Sequence, residues 1–304
     1  MDYVDNYQDL IGNTPMLKIN HIDFKNPDVN VFAKLELLEP GGSVKDRVGK
    51  AMVEAAEKDG TLKPGGTILE ATAGNTGIGI AFAALNKGYH VKFVVPLKFS
   101  EEKQKIMKAF GAEIINTPAE EGMLGARAKA KELHEQIPNS VIMGQFVNPA
   151  NPQAHYKTTG PEIWKQLGGK IDYFVMGAGT GGTYSGIVKY LKEQNPNIQG
   201  ILADPVGSTI GGGEHGPYRI EGIGNDFIAD TMDMSLVDKV YKISDQEAFD
   251  AVKLLAAKEG VLAGSSSGAA LAGVMKLAAD GYTGNIVTLF PDRAERYFSE
   301  GILD

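Results

Sequence analysis

The chain has 304 residues, 43% of them hydrophobic and 22% charged, a globular composition with length for about two domains. Its net charge of −8 is spread along the sequence rather than gathered in blocks, which favours solubility and argues against nucleic acid or an anionic membrane as a partner. The complete lack of cysteine excludes disulfides, thiolate metal sites and a cysteine nucleophile.

The start, Met1-Asp2-Tyr3-Val4-Asp5, is acidic and lacks the basic and apolar regions of a signal peptide. No apolar run approaches the ~18 residues needed to cross a bilayer, so a cytoplasmic protein is the expectation. Ile11-Gly12-Asn13-Thr14-Pro15 reads as a turn, followed by a strand over 31–35. Next comes Pro40-Gly41-Gly42-Ser43-Val44-Lys45-Asp46-Arg47, a polar glycine-rich turn that delivers one lysine to the start of a helix. That helix carries Val48, Ala51, Met52, Ala55 and Ala56 at helical spacing and stops at Gly60. A lysine there meets unpaired N–H groups and the positive end of the helix dipole. With desolvation, both push it toward the neutral amine that Schiff-base chemistry needs.

Beyond it, strands are predicted over 67–70, 91–95, 113–115 and 140–143, and helices over 76–85, 101–110 and 121–136. The second half repeats the rhythm, with strands over 173–176, 199–203, 261–262 and 286–289. Its helices fall over 153–166, 183–193, 245–258 and 268–278, the third opening on the capping-box pattern Ser244-Asp245-Gln246-Glu247. Strand–helix alternation implies parallel sheets covered on both faces. The fold expected is two doubly wound parallel-sheet α/β domains meeting across the Asn- and Pro-rich loop 145–152. A smaller, mobile domain would span 41–150 and a larger one 1–40 plus 151–304. Ligands in such folds sit at the carboxyl ends of the strands, here in a cleft between the domains.

Three loops carry chemistry. Thr72-Ala73-Gly74-Asn75-Thr76-Gly77 joins a strand to a helix, and its small residues, exposed N–H groups and hydroxyls suit a carboxylate. Gly177-Ala178-Gly179-Thr180-Gly181-Gly182-Thr183 is an anion cradle at a helix start, suited to a phosphate without lysine or arginine. It also satisfies Gly-x-Gly-x-x-Gly, with Asp204 about 20 residues on where a ribose-binding acid is expected, so a nicotinamide-dependent oxidoreductase competes. Gly264-Ser265-Ser266-Ser267-Gly268 matches the nucleophile-elbow pattern of hydrolases, in which the base histidine follows the serine. The histidines are at 21, 90, 134, 155 and 215, so none follows Ser266. None has metal-ligand spacing either, and His155 and His215 read as loop residues.

Taken together, these stretches resemble the β-family (fold type II) of pyridoxal-phosphate enzymes, within it the cysteine synthase and cystathionine β-synthase group. The resemblance runs almost end to end, in family order. It rests on Ile11 to Pro15, Lys34-Leu35-Glu36, Gly42 to Arg47, Ala73 to Gly77, Gln145-Phe146, Gly177 to Thr183, Glu221-Gly222-Ile223-Gly224, Ser266 to Ala269, and Pro291-Asp292 with Glu295-Arg296-Tyr297. It implies pyridoxal 5'-phosphate in the cleft between the domains. Lys45 would hold it as an internal aldimine and serve as base for the α-proton. Gly179, Thr180, Gly181, Gly182 and Thr183 would take its phosphate, Asn75 its ring oxygen, and Ser266 its pyridine nitrogen. Thr72, Ala73, Gly74, Thr76 and Gln145 would bind the substrate carboxylate, on a loop that moves inward.

The implied reaction is β-replacement on serine, O-acetylserine or cysteine through an aminoacrylate, with a thiol or sulfide adding, in sulfur amino-acid metabolism and with possible release of hydrogen sulfide. A neutral hydroxyl at the pyridine nitrogen favours β-elimination over chemistry needing a long-lived carbanion. Glu221 with Gly222 resembles cystathionine β-synthases, and a glutamate there could meet a second amino acid's ammonium. Asn225 stands where those enzymes usually carry tyrosine. Asp230 could polarise a hydroxyl or a water near the β-carbon. The resemblance further implies a compact catalytic core, lacking the haem-binding leader and regulatory domain of larger relatives, paired as a homodimer and without a metal. A catalytically silent binding protein on the same fold is the remaining alternative.

Overall fold

The computed structural model describes residues 3–304 apart from Lys98 and Ser100. In chain order its elements begin with β1 (Met16–Ile19), β2 (Val29–Lys34), α1 (Lys45–Asp59), β3 (Thr67–Ala71), α2 (Asn75–Ala84) and β4 (His90–Pro96). There follow α3 (Glu101–Ala109), β5 (Glu113–Thr117), α4 (Gly122–Gln136), β6 (Ser140–Ile142), α5 (Ala150–Lys157), α6 (Thr159–Gln166) and β7 (Tyr173–Met176). The last are α7 (Gly182–Gln194), β8 (Gln199–Pro205), β9 (Lys239–Ile243), α8 (Asp245–Glu259), α9 (Ser265–Ala279) and β10 (Gly284–Leu289). They divide into two compact units, one of residues up to Ile11 with Lys45–Asn151, the other of Gly12–Val44 with Pro152–Asp304.

The first unit holds a four-stranded parallel sheet in the order β5-β4-β3-β6. All five residues of β3 are buried, as a parallel strand covered on both faces requires. Val48, Met52, Ile68, Ile78, Phe93 and Met107 form its core. Helices α1 and α2 press together at Gly49 and Gly79, where a Cβ on either glycine would run into backbone of the other helix. Residues before Gly12 group here, not with the second unit as the 1–40 assignment expects. The Gln8 side-chain amide donates to Phe82 O at 2.7 Å, and the Tyr7 ring meets Phe82 edge-on. Conversely 41–44 group with the second unit, tied by Val44 N–H donating to Pro291 O at 2.8 Å.

The second unit holds a six-stranded sheet, β1-β2-β10-β7-β8-β9, parallel except for β1. Strands β1 and β9, unforeseen in the sequence, are its two edges. A lysine interrupts the first (Lys18), and lysines flank Tyr241 in the second, so neither reads as an apolar run. The strand expected over 261–262 is absent; the stretch makes only an isolated bridge at Ala263–Arg293. The helix expected over 153–166 breaks at Thr158, whose hydroxyl donates back to Ala154 O at 2.6 Å and so competes with the helical ladder. The capping box forms as expected, Ser244 N–H donating to Glu247 Oε2 at 2.8 Å and Glu247 N–H to Ser244 Oγ at 3.3 Å. Two apolar clusters flank this sheet, one around Phe290 and Leu271, the other around Phe174 and Tyr184.

Candidate active site

In the first unit, Lys45 is the opening residue of α1, half-buried. Its carbonyl lies so close to Gly79 that a Cβ there would strike it. Gly79 is one turn into α2, and Asn75 is the first residue of that helix, so a glycine contact brings the lysine's turn against the helix that Asn75 begins. Thr72, Ala73 and Gly74 connect β3 to α2. Gly74 N–H donates to Thr72 Oγ1 at 3.2 Å, and Gly77 leaves room for the Thr72 methyl and the Met107 sulfur. Thr76 Oγ1 donates to Gln145 Oε1 at 2.6 Å, joining two of the predicted carboxylate-binding residues across 69 positions of sequence.

Beneath them sits a residue the sequence analysis missed. Glu70, on β3, is buried and accepts from Gly144 N–H at 2.7 Å and Gln145 N–H at 3.3 Å. Burial pushes its carboxyl up to about 7, against the opposing pull of these two N–H groups, of Arg127 and of the Gln145 side-chain amide. Gln145 is thereby gripped at its backbone and at both ends of its amide. A glutamate in Thr67-Ile68-Leu69-Glu70-Ala71, two residues before Thr72, was the available signal.

In the second unit, β7 ends at Met176 and α7 starts at Gly182, with the glycine loop between. Gly181 is left-handed (φ 79°), and a Cβ on it would strike Met232; Cβ atoms on Gly177 and Gly179 would strike Ile223 and Gly222 O. The loop is thus glycine because neighbouring side chains and backbone lie against it as well as because it turns. Thr180 O accepts from Thr231 Oγ1 at 2.6 Å, and Gly224 N–H donates to Ala178 O at 2.8 Å. His155, on α5 and fully buried, binds Thr183 Oγ1 through Nε2 at 3.1 Å and Thr159 Oγ1 through Nδ1 at 2.9 Å. It lies on a helix and not in the loop expected for it, and from there it fixes the Thr183 hydroxyl, a role its sequence surroundings did not disclose. The first N–H groups of a helix have no intrahelical acceptor, so the N–H groups at this helix start are of the kind that can receive an anion.

Ser266 lies in the first turn of α9, 4% exposed, rather than in a loop. Gly268 is pressed against Ala248 O of α8, so it serves helix packing and not an elbow. Its neighbour Ser265 accepts from Glu221 N–H at 3.0 Å, which ties the Glu221–Gly222 turn to the serine helix. Gly222 is left-handed and exposed, and Asp230 is exposed between buried Ala229 and Thr231. Asp204 is unsuited to a ribose: it is buried inside β8 and ion-paired to Lys242 at 2.6 Å. Among the described residues no group of three His, Cys, Asp or Glu is placed to hold a metal.

Parallel sheets in two units, with a lysine opening one helix and a glycine loop opening another, are the frame of an α/β enzyme. The chain belongs to the pyridoxal-phosphate dependent enzyme family, whose model matches residues 7–292. Over 305 aligned residues it is 49% identical to the O-acetylserine dependent cystathionine beta-synthase of Bacillus subtilis, covering 100% of this chain and 99% of the relative. It is 48% identical to a cysteine synthase of Helicobacter pylori, with 97% of each covered. The crystal structure of O-acetylserine dependent cystathionine beta-synthase from Helicobacter pylori matches with a TM-score of 0.94 at 47% identity, over 99% of both chains. Fold type II, the use of pyridoxal phosphate and membership of the cysteine synthase and cystathionine β-synthase group stand as expected from the motifs. The nicotinamide reading does not survive these matches or the engagement of Asp204.

Proposed function

We propose that this enzyme replaces the β-substituent of O-acetylserine, or of serine or cysteine, with a thiol, homocysteine or sulfide being the partners its relatives' names favour. The observation that supports the reading is the Thr76–Gln145–Glu70 grip beside Asn75, which fixes two of the side chains assigned to the substrate carboxylate. Bound pyridoxal phosphate supplies an electron sink that acidifies the α-hydrogen and permits loss of the β-substituent. The cradle from Gly179 to Thr183 would hold its phosphate with backbone N–H groups and hydroxyls, Asn75 its ring oxygen, and the neutral hydroxyl of Ser266 its ring nitrogen. Lys45 would anchor the cofactor's aldehyde through Nζ, and the same amine would take and return the proton at Cα.

Thr72, Ala73, Gly74, Thr76 and Gln145 orient the substrate carboxylate, and the 72–76 loop moves inward over it. Glu221 with Gly222 receives the amino group of a second amino acid, and Asp230 polarises the incoming or departing group. The 45–151 unit is the mobile one, the protein is cytoplasmic, and the active form is a homodimer, which sedimentation will test. To test the reaction, O-acetylserine, serine and cysteine are each mixed with sulfide, cysteine and homocysteine and the products identified by mass. O-acetylserine with homocysteine should give cystathionine and acetate. No thioether or cysteine from any pair would sink the reading.

A further inference from the structure

Two residues singled out in the sequence remain without a part in this chemistry, Asp204 and Asn225, and both belong to one constellation. Asp204 and Lys242 are register partners on the parallel strands β8 and β9. The Lys242 ammonium donates to Asp204 Oδ2 at 2.6 Å, to Ser208 O at 2.6 Å and to Gly212 O at 2.9 Å. One carboxylate and two carbonyls around one positive charge form the donor set of a monovalent cation, and the single negative charge matches it. Asp204 is fully buried; its Oδ2 also accepts from Gly211 N–H at 3.0 Å, and its Oδ1 has no hydrogen-bond partner among the described residues. Lys242 itself is 31% exposed, so the position can be reached from solvent.

The clasped loop leads to the phosphate cradle. Asn225 N–H donates to Ser208 Oγ at 3.1 Å, and Thr209 N–H donates to Asn225 O at 2.8 Å. The Asn225 side chain then donates to Gly179 O at 3.3 Å, inside the cradle. Asn225 thus joins the two, bonding the clasped loop through its backbone and the cradle through its side chain.

We propose that Lys242 is a positioning residue acting as a tethered monovalent cation: it closes the Ser208–Gly212 loop and, through Asn225, sets the cradle carbonyl at Gly179. Removing its side chain leaves a three-oxygen site that a free potassium or ammonium ion can fill. The inference rests on the reading that the cradle takes the cofactor's phosphate.

The full-length protein and its Lys242→Ala and Asn225→Ala variants would be stripped of cofactor and titrated with pyridoxal phosphate. Titrations run in tetramethylammonium, lithium, sodium, potassium or ammonium chloride at matched ionic strength, with cofactor-free thermal melting in each salt. Expected is a loss of cofactor affinity of roughly 10-fold for Lys242→Ala in tetramethylammonium, returning to about 2-fold of the parent in potassium or ammonium. Its melting temperature should rise in the same salts. Asn225→Ala should lose affinity in every salt alike, and the parent should ignore the cation. The proposal is overturned if Lys242→Ala matches the parent in tetramethylammonium. It is overturned equally if no cation restores that variant's affinity or folding, or if Asn225→Ala binds cofactor like the parent. A parent that fails to take up pyridoxal phosphate sinks the cofactor reading instead, while cation-dependent melting of cofactor-free Lys242→Ala would still be observed.

Discussion

Around Thr76 and Gln145 the first unit uses side chains: a hydroxyl donates to an amide at 2.6 Å, and a buried carboxylate accepts from the Gly144 and Gln145 N–H groups at 2.7 and 3.3 Å. Around Gly179 and Gly181 the second unit uses backbone, with glycines so closely backed by Gly222, Ile223 and Met232 that no side chain fits. The two arrangements suit different ligands. A phosphate that stays bound is served by fixed N–H groups that need no reorganisation. A carboxylate that must arrive and leave in each turnover is served by rotatable groups. A side-chain network can titrate, whereas the glycine loop cannot, and this contrast predicts how each region fails.

The largest effect belongs to neither region. Lys45→Ala should lower turnover by at least about 1,000-fold, and borohydride treatment should no longer fix the cofactor to the chain, as read by mass. Next, Gly181→Val sets a β-branched residue at a left-handed position and against Met232. Cofactor affinity should fall about 100-fold or more, and Met232→Ala should restore little of it, because backbone strain remains. Cofactor titration of the single and double variants decides this; full recovery in the double variant would refute the strain. On the side-chain region, Gln145→Ala should raise KM for the amino acid roughly 20-fold while cofactor affinity stays within about 2-fold. A matching loss of cofactor would show the two regions to be one.

The smallest effect is pH-dependent. The carboxyl of Glu70, pushed up to about 7 by burial from an ordinary 4.5, holds a proton in the folded chain that the unfolded chain has released. Its contribution to stability is therefore complete below about pH 4.5 and is lost as pH rises through about 7. In that window stability should fall by up to about 1.4 kcal/mol per pH unit from this group. Glu70→Gln should flatten that slope, as urea unfolding at a series of pH values will read. It should also leave the cradle's cofactor affinity unchanged.

Lys45 and the glycine cradle were legible because their chemistry is written in consecutive residues, a polar turn before a helix and a glycine run after a strand. Glu70 and His155 were not. Each is an ordinary residue within a regular element, and its role arises from partners that lie 74 and 28 positions away, at Gly144 and Thr183. The edge strands β1 and β9 were missed for a related reason: half-exposed and carrying lysines, they depend on a neighbouring strand to be strands at all. The serine run was read as a loop because its polarity masks a first helical turn buried by packing of α9 on α8.

The sequence by itself determined the alternation of strand and helix, the lysine at a helix start, the two glycine-bearing strand-to-helix turns and the family, all of them local patterns of spacing and composition. Only the tertiary structure decided which polar residues serve those turns, which glycines exist for close approach, and that Asp204 faces Lys242 instead of a ribose. Hydrogen bonds and backbone contacts form between segments distant in the chain, and no local periodicity encodes where those segments meet.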